Sequence, residues 1–234
     1  GRLGCVWQNW ICYKEILRIN LESAANLIAE IITGSKFDDQ CMIHELLRQA
    51  IVWMEQNIID SGSGYAMTRI AAGHSAQGVV RECTGGFTYF QRLKTLEKNF
   101  QRYAAEFSRE LAALSKEIFA KNRLTISITG TNDNAEAILE NAVICVLPVS
   151  RQKETVCSIR PWSKRREGIV IPADVSFTAM GGNLLQYGGA YTGSLQVLSR
   201  IVSLSYLWNV IRVQGGAYGT GLSLSNSGNA CFYS

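Results

Sequence analysis

The stretch Tyr206 to Gly221, YLWNVIRVQGGAYGTG, decides the fold more than any other part of the chain. Its first half carries apolar residues at helical spacing, and a glycine-rich turn that contains Gly215 and Gly216 follows the helix. The residues after the glycines are typical of a strand. A dinucleotide-binding loop has the opposite order, with the strand before the glycines and the helix after them. The stretch therefore predicts a helix, a tight turn and a strand, and it argues against a dinucleotide site.

Two hydrogen-bond donors lie at this turn, Arg212 near the helix end and Tyr218 six residues later. The guanidinium offers a fixed fork of N–H donors and the phenol offers one O–H, so together they could hold a peptide carbonyl or a developing oxyanion. Gly215 and Gly216 would let the backbone come close to a bound chain. The alternative is structural, with the arginine bonding the last carbonyls of the helix and the tyrosine packed on the sheet. These residues alone leave both interpretations open.

The segments around this turn predict a small α/β unit at residues 169–234. We expect strands at 169–179, 217–225 and 230–233, a helix at 191–210 and a turn at 226–228. Gly181-Gly182 and Gly188-Gly189 predict a break after the first strand. Because this unit is short and the sequence stops at its last strand, we expect an incomplete domain with unpaired strand edges.

Residues 1–147 predict a larger and mainly helical unit. Helices are expected at 20–34, from Asp38 onwards, at 65–83 with interruptions at Gly73 and Gly78, at 87–120 and at 132–147, with breaks at 61–64 and 85–86. Alternation predicts short strands at 16–20 and 124–129. The helix that starts at Asp38 would bury one apolar face, formed by Ile43, Leu46, Leu47, Ile51 and Met54.

Residues 148–168 indicate a linker, since they hold two of the three prolines and show no period. The predicted organisation is therefore a unit at 1–147, a linker at 148–168 and an incomplete unit at 169–234. The predicted fold class is α+β, with helices packed on one face of antiparallel-rich sheets in two α/β units.

Composition narrows the function classes. Hydrophobic residues make up 47% of the chain and charged residues 18%, which is enough apolar material for a core. The net charge of +4 is spread thinly and clusters only at Arg160 and residues 164–166, so we do not expect a nucleic-acid partner. The alternative, a basic module that binds nucleic acid through residues 160–166, predicts salt-dependent binding. No apolar run reaches the roughly 18 residues of a membrane span, so no membrane partner is expected.

The cysteines and histidines do not predict a disulfide framework or a metal site. The seven cysteines form no C-x-x-C pair, a pattern typical of a reducing compartment such as a cytoplasm or an organelle matrix. The two histidines, His44 and His74, are thirty residues apart, and neither H-E-x-x-H nor H-x-x-E-H occurs. Since a catalytic zinc needs three protein ligands, we predict no metal ligand and no catalytic zinc or base residue in this chain.

The stretch YLWNVIRVQGGAYGTG resembles the C-terminal, non-catalytic half of pitrilysin- and insulysin-type (inverzincin) zinc metallopeptidases, most of all the presequence-protease branch. In that branch a helix ending Y-L-W-x-x-I-R is followed by a G-G-A-Y-G turn. Phe37-Asp38-Asp39, Glu82 with Gly85-Gly86, and the run from Leu124 to Gly130 also resemble the family. The resemblance covers residues 13–234.

This resemblance implies a clamshell of two halves with two α/β domains each, in which the N-terminal half binds zinc through H-x-x-E-H and a distal glutamate. The present chain would belong to the other half and be inactive by itself. Arg212 and Tyr218 match the residues that grip the substrate backbone and polarise the scissile carbonyl, and Gly215 and Gly216 belong to the same substrate-binding turn. The implied partners are unfolded peptides and the zinc-bearing half. The alternative is a non-catalytic scaffold or partner subunit of the same fold.

Overall fold

The computed structural model describes residues 21–125, 147–150, 158–163 and 166–234. Its α-helices before the sheet are α1 Leu21–Gly34, α2 Gln40–Asp60, α3 Gly62–Ala72, α4 Ala76–Gly85, α5 Phe87–Lys98 and α6 Phe100–Ile118. A further helix, α7 Gly193–Ile201, continues without interruption as a π-helix over Val202–Gln214. Short 3-10 helices lie at Lys121–Arg123 and Leu184–Tyr187.

Three strands form one antiparallel sheet in the order β1-β3-β2. The strands are β1 Ala179–Asn183, β2 Gly221–Leu224 and β3 Asn229–Tyr233. Phe232, in the central strand β3, pairs with Met180 on one side and with Leu222 on the other. Mainly helical content with a small antiparallel sheet confirms the predicted α+β class.

The helix predicted to start at Asp38 is confirmed as α2. Asp39 precedes it, and the Asp39 Oδ1 atom accepts a hydrogen bond from the Met42 amide at 2.9 Å, as expected of a residue that caps a helix start. Leu47, Ile51 and Met54 are buried as predicted. The prediction that Leu46 is buried is wrong, because its side chain is 55% exposed. Neighbouring residues of a helix point to different faces, so Leu46 cannot share the buried face with Leu47.

The helical segments after α2 are shorter than their patterns predicted. The break expected at 61–64 shrinks to Ser61, because α3 already begins at Gly62. The interruption expected at Gly73 is confirmed, since residues 73–75 separate α3 from α4 and the Ser75 side chain accepts a hydrogen bond from the Gly78 amide at the start of α4. The interruption expected at Gly78 is wrong, because Gly78 lies inside α4. The helix expected at 87–120 is likewise divided, at Asn99.

The first strand of the sheet was wrongly placed from the sequence. The strand expected at 169–179 lies instead at Ala179–Asn183, and it includes the Gly181-Gly182 pair that was predicted as a break. The physical reason is that β3 decides the position, since Gly181 pairs with Cys231 and Gly182 with Ala230. The strand expected at 217–225 shortens to β2, whereas the strand expected at 230–233 is confirmed as β3.

Some predicted elements lie outside the described residues. These are the strand expected at 16–20, residues 126–129 of the strand expected at 124–129, and residues 132–146 of the helix expected at 132–147. Leu124 and Thr125 themselves belong to no strand. The described residues of 148–168 form neither helix nor strand, and the division of the chain at this linker stays a prediction.

The described residues form two compact units. One takes residues 47–98, 158–163 and 166–234, and in it α3 packs against α4, β1 and β3, while α7 and its π-helical continuation pack against β2. The other takes residues 21–46, 99–125 and 147–150. In this second unit the His44 ring stacks on Phe100 with 4.4 Å between ring centroids, which supports the view of His44 as a packed helix residue.

Candidate functional site

The turn after the π-helix is closed by backbone hydrogen bonds alone. The amides of Gly215, Gly216 and Ala217 donate to the carbonyls of Val210, Arg212 and Ile211 at 3.1, 2.9 and 3.2 Å. Gly216 has a φ of +74°, a left-handed conformation that other residues rarely adopt and that often ends a helix. The carbonyls of Val210, Ile211 and Arg212 therefore have backbone partners at the end of the helix.

Beyond the turn, the chain is tied to the end of β3. The Thr220 hydroxyl donates to the Tyr233 carbonyl at 3.0 Å, and the Ser234 hydroxyl donates to the Gly219 carbonyl at 3.0 Å. These two bonds, together with the backbone bonds at the helix end, hold both ends of the segment that carries Tyr218.

Helix α7 and the π-helix are held against the outer edge of β2 by polar side chains. The Ser203 hydroxyl accepts from the Leu222 amide at 2.9 Å, the Ser199 hydroxyl donates to the Leu222 carbonyl, and the Gln196 amide donates to the Leu224 carbonyl at 3.1 Å. The Ser225 amide donates to the Asn229 carbonyl, and hydrogen-bonded and non-hydrogen-bonded pairs alternate along an antiparallel ladder. The main-chain groups of Leu224 and Leu222 therefore point away from β3, toward the helix. Sequence reasoning missed this contact, whose signal is the spacing of the polar residues 196, 199 and 203, which places them along one side of the helix.

Arg212 does not bond the carbonyls at the end of its helix. Its guanidinium carbon lies over the Trp208 ring, 3.9 Å from the ring centroid. Among the residues that the structure describes, no carboxylate forms an ion pair with this guanidinium. Arg212 is therefore stacked on an indole ring, and its role toward a substrate stays a prediction.

Tyr218 lies on the surface, with 94% of its area exposed. It is therefore not packed on the sheet, which was the structural alternative for this residue. An aromatic side chain in this position loses contact with water only when something binds over it. Tyr218 thus lies on an exposed turn after Gly215 and Gly216, whereas Arg212 lies in the last turn of the preceding helix, half-buried and stacked on Trp208.

The residues that the structure describes do not fit a zinc ion. Within these residues, no three side chains of histidine, cysteine, aspartate or glutamate come together as metal ligands. The His44 ring is stacked on Phe100, and the Nδ1 atom of His74 lies 3.5 Å from the Gln186 Oε1 atom. No helix in the described part of the chain is both long enough and apolar enough to cross a membrane.

Comparison with known proteins agrees with this turn and with the helical region before it. Residues 8–96 match the family described as associated with subfamily C of the M16 peptidases. Residues 166–234, which include Arg212 and Tyr218, match the family described as PreP C-terminal domain. The chain belongs to the presequence-protease family of M16 peptidases.

Relatives of the presequence-protease family align with most of the chain. Protein HypA of Clostridium perfringens is 29% identical over 94% of the chain, and presequence protease 1, chloroplastic/mitochondrial, of Arabidopsis thaliana is 29% identical over 83% of it. The mitochondrial presequence protease of Drosophila melanogaster is 23% identical over 93%. These alignments cover 22%, 18% and 21% of the relatives, so the chain spans about a fifth of their length.

A second polar cluster of this presequence-protease chain is centred on Arg69. The Glu82 side chain is fully buried, and its Oε1 atom accepts from Arg69 Nη1 at 3.1 Å and from the Thr88 amide at 2.8 Å. A Cβ atom on Gly86 would come within 2.0 Å of the Glu82 Oε2 atom, so the site requires glycine there. The carboxylate thus links α4 to the start of α5 through a buried charge that Arg69 balances.

Arg69 also holds the segment that follows residue 158. Its Nε and Nη2 atoms donate to the two carboxylate oxygens of Glu167 at 2.6 and 3.2 Å, and its guanidinium carbon lies 5.3 Å from the centroid of the Trp162 ring. The Trp162 amide donates to the Ala72 carbonyl at 2.8 Å. The hydrogen bond to Glu167 raises the pKa of Arg69 above its ordinary value, so this side chain stays charged.

Cys231, in the central strand β3, differs from Cys41 in its expected reactivity. Burial raises the pKa of the Cys231 thiol, whereas Cys41 is exposed. Because the thiolate is the reactive form, a raised pKa lowers the reactive fraction at a given pH. We expect iodoacetamide at pH 8 to alkylate Cys231 at least about ten times more slowly than Cys41. Mass spectrometry of quenched samples measures both rates, and the same labelling in denaturant should remove the difference. Equal rates in the folded chain would contradict the burial of Cys231.

Proposed function

We propose that this chain is part of the C-terminal half of a zinc metalloendopeptidase that degrades unfolded peptides. In this proposal it forms a wall of the substrate chamber and contacts the substrate at the Arg212–Tyr218 turn. The proposal is supported by one observation: inside the region that matches the PreP C-terminal domain, Tyr218 is exposed on the turn and the Arg212 guanidinium stacks on Trp208 instead of pairing with a described carboxylate. Membership of a peptidase family supports it further.

Peptide hydrolysis defines what these two donors would do. When water adds to a peptide carbonyl, negative charge develops on its oxygen, and hydrogen-bond donors aimed at that oxygen lower the barrier. The Arg212 guanidinium supplies a positive charge and several N–H donors, and the Tyr218 hydroxyl supplies a neutral donor. Gly215 and Gly216 keep side chains away from the turn, so that an extended backbone can approach it.

The remaining chemistry is assigned to the other half of the protein. We propose that zinc and the general base belong to the N-terminal half, which would be the main partner of this chain. Unfolded peptides are the proposed substrates, and neither nucleic acid nor membrane is a proposed partner. Since presequence proteases are chloroplastic or mitochondrial in the names of the plant and fly relatives, we propose an organelle matrix or cytoplasmic location for the protein.

A complementation experiment tests this assignment. The chain is assayed with zinc on an unstructured fluorogenic peptide, alone and mixed with the separately expressed zinc-bearing half. We expect no cleavage by the chain alone and cleavage on mixing that a chelator abolishes. Zinc-dependent cleavage by the chain alone would contradict the assignment, and a mixture that binds the peptide without cutting it would favour a non-catalytic scaffold.

A further inference from the structure

We infer that Trp208 is a positioning residue for Arg212, holding the guanidinium in place for a bound peptide. This inference rests on the proposed function of Arg212. Its basis is the contact between the two side chains, which lie four residues apart on one helix with the guanidinium carbon 3.9 Å from the ring centroid.

The distance defines how the two groups are arranged. Carbon atoms in van der Waals contact lie about 3.5–4.0 Å apart, so the central guanidinium carbon itself touches the face of the ring. A guanidinium pointing edge-on at the ring would keep its central carbon farther away. The group therefore lies along the indole. Because its N–H donors lie in its own plane, the contact covers the face of the guanidinium and leaves its edges free to donate.

Trp208 restrains Arg212 where no other described group does so. The carbonyls of Val210, Ile211 and Arg212 are bonded by backbone amides, and no carboxylate in the described part of the chain pairs with the guanidinium. Arg69 shows the contrast, since two glutamates and a threonine hold it. A long side chain without such partners loses conformational entropy when a substrate binds to it. Stacking on Trp208 restricts the Arg212 side chain before binding and so reduces this entropy cost.

A role for Trp208 in the core does not explain its position. Its neighbour Leu207 is buried, whereas the Trp208 side chain remains 38% exposed on the same surface as Arg212. The indole therefore contributes a flat surface beside the turn, and cation–π contact is strongest with tryptophan among the aromatic residues.

The test uses a double-mutant cycle in the full-length protein with an unstructured fluorogenic peptide. Trp208→Leu should lower kcat/KM about 2- to 5-fold, the scale of an exposed cation–π contact, and Trp208→Phe should recover most of this loss. In the Arg212→Ala background, Trp208→Leu should have no further effect. Tyr206→Leu is the matched control, since it removes an exposed aromatic residue from the same helix and should leave kcat/KM unchanged.

Chemical rescue supplies a readout that a structural role would not change. Ethylguanidinium added to the Arg212→Ala variant should restore part of its activity, and Trp208→Leu should raise the concentration needed for half of that rescue. An equal loss from Trp208→Leu in both backgrounds, with unchanged rescue, would overturn the inference and leave the proposed function standing. Unchanged kinetics of Arg212→Ala would overturn the proposed function and this inference with it.

Discussion

Replacing Arg212 by alanine in the full-length protein is expected to lower kcat by about 10- to 1,000-fold, the scale for losing one oxyanion donor. This range equals about 1.4–4 kcal/mol of transition-state stabilisation. The loss should fall on kcat more than on KM, because charge develops on the carbonyl oxygen only as water adds to it. Steady-state kinetics on an unstructured peptide measures both constants.

Two further variants make this result specific. Arg200→Ala removes a charge from α7, about three turns before Arg212, and should leave both constants unchanged because Arg200 is exposed and lies away from the turn. Tyr218→Phe keeps the exposed ring and removes only the hydroxyl, and it should lower kcat by about tenfold if that hydroxyl donates to the oxyanion. If Arg212→Ala and Arg200→Ala gave the same kinetics, Arg212 would have no role in turnover.

Replacing Arg69 by alanine is expected to lower the free energy of unfolding of the chain by about 3–5 kcal/mol, the cost of leaving a buried charge without its partner. Glu82 has no exposed surface, and Arg69 is the cation that balances it among the described residues. The same substitution removes the bidentate contact with Glu167 and the contact with Trp162. Urea unfolding followed by circular dichroism measures the change as a lower midpoint.

The chain offers a matched control for this loss. Arg48→Ala breaks the ion pair between Arg48 and Glu97, in which the Arg48 side chain is 59% exposed. This substitution should lower the free energy of unfolding by at most about 1 kcal/mol. The double variant Arg69→Leu/Glu82→Leu leaves no buried charge and should be more stable than Arg69→Ala. A double variant as unstable as the sum of its single changes would show that the charge of Glu82 is not the source of the effect.

Much of the local structure was predictable because it depends on neighbouring residues. Asp39 accepts a hydrogen bond at the start of α2, and the spacing of Leu47, Ile51 and Met54 places them on one buried face. The turn at Gly216 needs a left-handed residue, and glycine supplies it. The family resemblance rested on the same stretch, which is why a single helix and turn were enough to suggest it.

The position of β1 was not predictable in this way. Its sequence, AMGGN, has two glycines and little strand preference, whereas the preceding β-branched residues favour a strand that does not form. Pairing with Ala230 and Cys231 of β3 decides the outcome, and a strand position that depends on a distant partner leaves no local signal.

By itself, the sequence determined the start of α2 and most of its buried face, the glycine turn after the last helix, and the family, since each follows from spacing and residue type along the chain. Only the tertiary structure decided the position of β1 and the burial of Glu82 against Arg69. It also decided that Ser199 and Ser203 form hydrogen bonds with the main chain of β2. The folded structure decided, too, where the Arg212 side chain lies, because its stacking on Trp208 and the amide bonds that close the helix end depend on the folded turn. Contacts such as those of β1 and of the two serines join residues that are far apart in the sequence, so a local sequence pattern does not predict which of them come together.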